Sequence, residues 1–242
     1  MVEEKLYPWR DALEPNKRVC VSWTPPGSRV LEFGCAAGYV SRVLRDERRC
    51  RVTGFEYSPA MAQQAEPFCE RVVVGDIEDF SLWERLTPPY DVAMFGDVLE
   101  HLRDPEAVLR RCRDVLQPDG RLIVSIPNIA HYTVRLALLF GRFDYTQYGI
   151  LDSTHLHFYT RKSLLEMLAR TGYTVEHLEF SRMRTRSDHI FGRLGLTPLK
   201  RLLNRAGDAL FPNAAAFQWL TCCRLAAAAP RSAPVAREGA PA

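Results

Sequence analysis

The sequence predicts a three-layer α/β sandwich around a mostly parallel, seven-stranded sheet. Three observations carry this. Between residues 29 and 127, short β-branched or apolar runs alternate with helix-length amphipathic stretches. The first run ends in a glycine-containing turn, and an acidic residue stands at the end of each of four consecutive runs: Glu32, Glu56, Asp76 and Asp97. Strands buried on both faces read as continuous apolar runs, and the stretches between them are long enough for crossover helices.

The elements follow in order. Strand one is expected over 29–33, with its helix over 39–47. Strand two spans 50–55, and Ser58 caps a helix whose first position is Pro59. Strand three is 71–74 and strand four 91–95. Asp104-Pro105 then caps a long helix reaching residue 116. Gln117-Pro-Asp-Gly120 reads as a tight turn that delivers strand five, 121–126. There the alternation stops. An aromatic-rich insertion, about residues 129–160, precedes a helix over 161–170, which Gly172 ends. Strand six is 173–180, and a last apolar strand covers 216–225. The expectation is one domain over 1–226, followed by a disordered Ala/Pro tail over 227–242.

With 242 residues and 47% apolar content, the chain can bury one sizeable core. Its opening residues lack the apolar run of a secretory leader, and no apolar stretch approaches the roughly 20 residues of a membrane-spanning helix. The seven cysteines form no C-x-x-C pair, which points to buried thiols in a reducing, cytoplasmic setting. A net charge of +3 is too diffuse for a nucleic-acid partner. The nearest basic cluster, Arg182, Arg184, Arg186, Arg193, Lys200 and Arg201, reads equally well as a solvated face.

The strongest local signal is Val30-Leu-Glu-Phe-Gly-Cys-Ala-Ala-Gly-Tyr39, a buried strand running into a turn. In an open α/β sheet, ligands sit outside the carboxyl ends of the strands, where this turn would lie. A dinucleotide fingerprint aligned on Gly34 requires glycine at positions 36 and 39, which hold Ala36 and Tyr39. Glu32 also disfavours a phosphate there and favours a cationic ligand.

Glu32-x-Gly34-x-Ala36-x-Gly38 resembles the first motif of class I S-adenosylmethionine-dependent methyltransferases, with Ala36 where that family has glycine. The resemblance implies a Rossmann-like fold and S-adenosyl-L-methionine as cofactor. It places the cofactor against Glu32, Gly34, Cys35, Ala36 and Gly38. Glu56, beside Tyr57, would accept both ribose hydroxyls, and Asp76 and Ile77 would hold adenine. Phe95, Gly96 and Asp97 would lie under the methionine part. Asp97-Val-Leu-Glu-His-Leu102 is similar to the "EHL" branch of that superfamily, which includes ubiquinone-type, natural-product and glycan-pathway enzymes.

On a helical turn Asp97, Glu100 and His101 fall on one side. Glu100 and His101 then either position the surrounding loops, or His101, or His131, His155 or His157 from the insertion, serves as general base. A divalent metal held by Glu100, His101 and His155 is the least favoured of the three readings. The insertion's Tyr132, Phe140, Phe143, Tyr145, Tyr148, Phe158 and Tyr159, with Asp152, read as a lid or as ordinary core, and Tyr7, Trp9 and Arg10 either close over the methionine end or belong to a helix packed on the sheet. The expected reaction is methyl transfer to a hydroxyl of a small sugar, polyketide or phenol-like acceptor. The alternatives are an amino-sugar N-methyltransferase, a methyltransferase acting on RNA or protein, and a catalytically silent cofactor-binding partner. A homodimer is compatible with the sequence and not required by it.

Overall fold

The computed structural model describes residues 13–182, 207 and 211–226. It opens with α1 (Pro15–Trp23), β1 (Arg29–Phe33), α2 (Tyr39–Arg48), β2 (Arg51–Glu56), α3 (Pro59–Ala65) and β3 (Arg71–Val74). There follow β4 (Tyr90–Gly96), a 3-10 turn over Leu99–His101, α4 (Pro105–Val115), β5 (Leu116–Pro127), α5 (Tyr132–Leu139), α6 (Arg161–Arg170), β6 (Tyr173–Ser181) and β7 (Gln218–Leu225). The strands form one sheet in the order β3-β2-β1-β4-β5-β7-β6. The pairs of β1 with β2 and β4, β2 with β3, and β4 with β5 are parallel, and β7 runs antiparallel between β5 and β6. The predicted mostly parallel sheet of seven strands is therefore present.

Period-two alternation sorts the side chains into two cores. Leu31, Phe33, Ala93, Phe95, Leu122 and Val124 face one side, where Val108, Leu109, Cys112, Leu164 and Leu168 of α4 and α6 cover them. Val30, Val92, Met94 and Ile123 face the other, against Cys20 and Val21 of α1 and Val40, Val43 and Leu44 of α2. These are the three layers. Predicted caps hold as well: Ser58 accepts from the Met61 backbone N–H, and Asp104 accepts from that of Ala107.

Several boundaries differ from expectation, each for a physical reason. The strand reaches back to Leu116, and the 117–120 loop bulges from the ladder, because Leu116 pairs with Tyr90 and the next pair is Arg121 with Val92. The last strand starts at Gln218 rather than 216, since Pro212–Ala215 turns as a short helix first. Helix α5 was not expected, whereas α1, which packs on the sheet through Cys20 and Val21, is the kind of helix that was one of the two readings of the amino end. Tyr7, Trp9, Arg10, most of the basic cluster and the Ala/Pro tail lie outside the described residues. All seven cysteines are free thiols, and no described helix is long and apolar enough to cross a membrane.

Candidate functional site

Sheet order reverses between β1 and β4, where open α/β sheets have their crevice, and a small cavity lined by Lys17, Glu32, Gly34, Cys35, Tyr39 and Gly96 lies there. The turn after β1 forms its near wall. Gly34 has φ +65°, and an added Cβ would lie 2.6 Å from Val98 Cγ2. Gly38 has φ +80°, and a Cβ would lie 2.8 Å from the Ala65 Cα, so only glycine fits. Between them Ala36 takes the left-handed conformation as well, at φ +46°. It is held by its N–H, which donates to Glu56 Oε2 at 2.8 Å. The Gly34 and Cys35 N–H groups both donate to the Phe55 carbonyl, at 2.7 and 3.3 Å.

Glu56 ends β2 and also accepts from the Ser58 N–H at 2.9 Å. An ionised carboxylate has about four acceptor sites, so two remain for a diol. Tyr57 beside it is exposed. Asp76 lies two residues beyond β3, accepts from the Glu78 N–H at 2.9 Å and pairs with Arg103 at 3.2 Å. Ile77 packs against the core edge, and its carbonyl accepts from Trp83 Nε1.

Glu32 is buried at the end of β1, and its carboxylate accepts from Ser41 Oγ. Burial pushes its carboxyl up to about 8, the Ser41 hydrogen bond opposing. Asp97 ends β4 in the left-handed region, φ +62°. Its Oδ1 accepts from Ser125 Oγ at 2.9 Å and Gln218 Nε2 at 2.8 Å, and its Oδ2 pairs with Lys17 Nζ at 2.5 Å. Burial works against the charge on Lys17, but Asp97 outweighs it and holds the ammonium above the usual lysine range. Gly96 carries no side chain where the ammonium passes, for a Cβ would lie 2.8 Å from Lys17 Nζ. Sequence reasoning missed Lys17, Ser125 and Gln218. One signal was available: only four of the 32 basic residues are lysines, so Lys17 was a marked choice of a compact point charge.

The structure brings some predicted residues together and places others elsewhere. Glu100, His101 and His155 meet, each offering a ligand atom within 4.8 Å of the others. The insertion is tied to them because the Leu156 and His157 N–H groups donate to the Glu100 carbonyl, at 2.8 and 3.1 Å. His101 Nδ1 sits 3.2 Å from the Thr154 carbonyl, and His155 Nδ1 sits 3.0 Å from that of Ile150. Burial, then the neighbouring His155, lowers the His101 pKa. Burial, then Asp97, raises that of Glu100 well above the usual carboxylate range.

Two predicted residues sit apart from the others. Phe95 is fully buried and stacks on Phe33 with centroids 4.3 Å apart, so its ring supports the sheet beneath Gly96 and Asp97. His131 heads α5 as its cap, with Nδ1 2.8 Å from Thr133 Oγ1, and stands outside the Glu100 cluster.

A family model described as a methyltransferase domain matches residues 6–178. A tRNA 5-carboxymethoxyuridine methyltransferase of Escherichia coli is 27% identical over 188 residues, 70% of this chain and 70% of that protein. A demethylmenaquinone methyltransferase of Thermotoga maritima is 30% identical over 172 residues, 63% of this chain and 74% of the relative. Among solved structures, magnesium protoporphyrin IX methyltransferase from Synechocystis with bound SAH (S-adenosylhomocysteine) gives a TM-score of 0.57. It is 15% identical and covers 87% of this chain and 83% of that one, a likeness of fold. The glycine turn, the acids closing β1 to β4 and the family match agree: this chain belongs to the methyltransferase-domain family and is a class I S-adenosylmethionine-dependent methyltransferase.

Proposed function

We propose that the chain methylates a hydroxyl of a small-molecule acceptor held beneath the 129–160 insertion. The observation that carries this reading is the meeting of His101 and His155 with Glu100, fastened to the insertion by two backbone hydrogen bonds to the Glu100 carbonyl. In-line displacement from a sulfonium requires the acceptor oxygen to lose its proton, and a lowered histidine pKa keeps the imidazole neutral and able to take it. The Phe143, Tyr145 and Phe158 rings cluster in the same insertion, an apolar wall suited to excluding water.

The cofactor lies across the ends of β1 to β4 in this reading. Glu56 takes the ribose hydroxyls, Asp76 and Ile77 hold adenine, and Glu32 with the Gly34–Gly38 turn holds the methionine part. Asp97 and Lys17 form the floor beneath it. The acids at the strand ends, Glu56, Asp76 and Asp97, disfavour a polyphosphate strand, which supports a small acceptor over RNA.

Calorimetry with S-adenosylhomocysteine and S-adenosylmethionine, followed by labelled-methyl transfer onto sugar, polyketide and phenolic alcohols, tests this. Glu56→Ala is expected to weaken cofactor binding by roughly 1.5–3 kcal/mol, about 10- to 150-fold, with the fold intact. Unchanged affinity would remove Glu56 from the site. Label moving to tRNA or to an amine, or no transfer at all, would overturn the acceptor reading.

A pH dependence follows from Glu32. The free chain carries a proton there up to about pH 8, whereas a cationic cofactor favours the ionised form. Binding should therefore tighten between pH 6 and 8, by at most about tenfold per unit, and level off above. Glu32→Gln is expected to flatten that slope, and a wild-type affinity independent of pH would contradict the assignment.

A further inference from the structure

We propose that Cys35 and Cys69 form an oxidisable dithiol, which a hydroperoxide closes to a disulfide that disables the cofactor turn. The geometry centres on Gly54 of β2. A Cβ there would stand 2.7 Å from Cys35 Sγ and 3.4 Å from Cys69 Sγ, so the missing side chain leaves the room in which the two sulfurs meet. The thiols hydrogen-bond each other over that strand. Cys35 belongs to the turn after β1, and Cys69 lies between α3 and β3.

The two sulfurs have unequal surroundings. Cys35 is 2% exposed, whereas Cys69 is half-buried and open to a small oxidant. The hydrogen bond from Cys35 lowers the Cys69 pKa; burial opposes it, and Ser41, the Gly54 backbone and the Arg45 guanidinium assist. The same hydrogen bond, then burial, raises the Cys35 pKa, so Cys35 keeps its proton and donates it. By contrast, burial pushes the Cys20, Cys112 and Cys223 thiols up to about 12 and raises those of Cys50 and Cys222. The thiolate is the nucleophile, which makes Cys69 the first to react.

The Cys69 sulfur attacks a peroxide oxygen and the O–O bond breaks. The displaced oxygen takes up the proton that Cys69 gave up on ionising and leaves as water or an alcohol, and Cys69 becomes a sulfenic acid. The Cys35 sulfur then attacks the sulfenic sulfur, the S–O bond breaks, and the departing hydroxide carries off the Cys35 proton as water. Two thiols have lost two electrons to one hydroperoxide, and a thiol reductant reverses the change.

Closure moves the turn. An S–S bond is about 2.05 Å long, far shorter than a hydrogen-bond contact between sulfurs, so the two cysteines must draw together. Cys35 cannot shift alone. Its carbonyl accepts from the Gly38 N–H at 2.9 Å, its N–H donates to the Phe55 carbonyl, and the next N–H, of Ala36, donates to Glu56. The pull therefore reaches the left-handed residues of the turn and Glu56. Its effect rests on the reading that this turn and Glu56 hold the cofactor.

The test exposes the full, reduced chain to hydrogen peroxide, alkylates the remaining thiols and maps the peptides by mass. A Cys35–Cys69 cross-link is expected, with S-adenosylhomocysteine affinity at least about tenfold weaker by calorimetry and restored by dithiothreitol. Cys69→Ser should bind S-adenosylhomocysteine as the reduced wild type does and keep that affinity after peroxide. Cys69→Ala repeats the comparison if the serine variant fails to bind before treatment, and Cys50→Ser should respond as the wild type does. No cross-link in the treated wild type, a cross-link that leaves affinity unchanged, or an equal loss of affinity in the treated Cys69 variant overturns the proposal. Failure of the reduced wild type to bind S-adenosylhomocysteine would instead sink the cofactor reading, a result distinct from a missing cross-link.

Discussion

Asp97→Asn is expected to lower the unfolding free energy by about 3 kcal/mol, the low end for breaking a buried ion pair by removing one partner. The low end applies because the Asp97 side chain is 28% exposed, while that of Lys17 is only 6% exposed. Losing the carboxylate leaves the ammonium buried against Gly96 with its counter-charge gone. For a chain of this size the midpoint of thermal unfolding should fall by roughly 6–12 °C. The double variant Lys17→Met with Asp97→Asn should recover a good part of that loss, since replacing both partners removes the stranded charge. A double-mutant cycle in urea measures the coupling. Strictly additive losses would mean that the ion pair contributes nothing beyond its members' packing.

Gly38→Ala should cost about 2–5 kcal/mol and abolish measurable cofactor binding. Two terms add. An alanine in the left-handed region costs roughly 1–2 kcal/mol, and forcing a methyl into packed surroundings costs about 1–3 kcal/mol more. The second term is unavoidable, because the obstruction is the Ala65 backbone at 2.8 Å as well as the Phe68 ring at 3.0 Å. Gly27→Ala is the control. Its φ is +76° but no atom lies within 4 Å of the added Cβ, so only the conformational term of about 1–2 kcal/mol applies. Equal losses at the two positions, by thermal unfolding, would show that close approach to α3 does not matter.

The central strands were legible because parallel strands covered on both faces leave unbroken apolar runs: residues 29–33 and 71–74 match the observed β1 and β3. Helix α6 matched because Thr160 and Ser163 form a capping box and Gly172 follows in the left-handed conformation. Helix α5 was not legible within the aromatic-rich insertion because Leu136, Leu138 and Leu139 are all exposed and its apolar residues follow no single face. Within the site, acids at strand ends announce themselves by the spacing of βα units. Their partners do not: Lys17 lies 80 positions from Asp97 and Gln218 lies 121 away, and no local pattern links residues brought together only by the sheet. Glu100 and His101 were legible as a pair. That both Glu100 oxygens would be buried without a hydrogen-bond partner among the described residues was not, since it depends on where the insertion folds back.

The placement of β7 also gives the chain a schedule. A polypeptide emerges amino end first, so β5 and β6 are made before the strand that joins them. Until residues 218–225 arrive, two long edges stand open with unpaired N–H and C=O groups, a hazard during synthesis. Gln218 then does two things at once: it pairs with Pro127 and Ser181 across the closing slot and donates to the Asp97 carboxylate. The floor at Asp97 is therefore finished by the last of the described strands, and a nascent chain halted before Gln218 holds the acids at the ends of β1 to β4 without the strand that locks Asp97 in place.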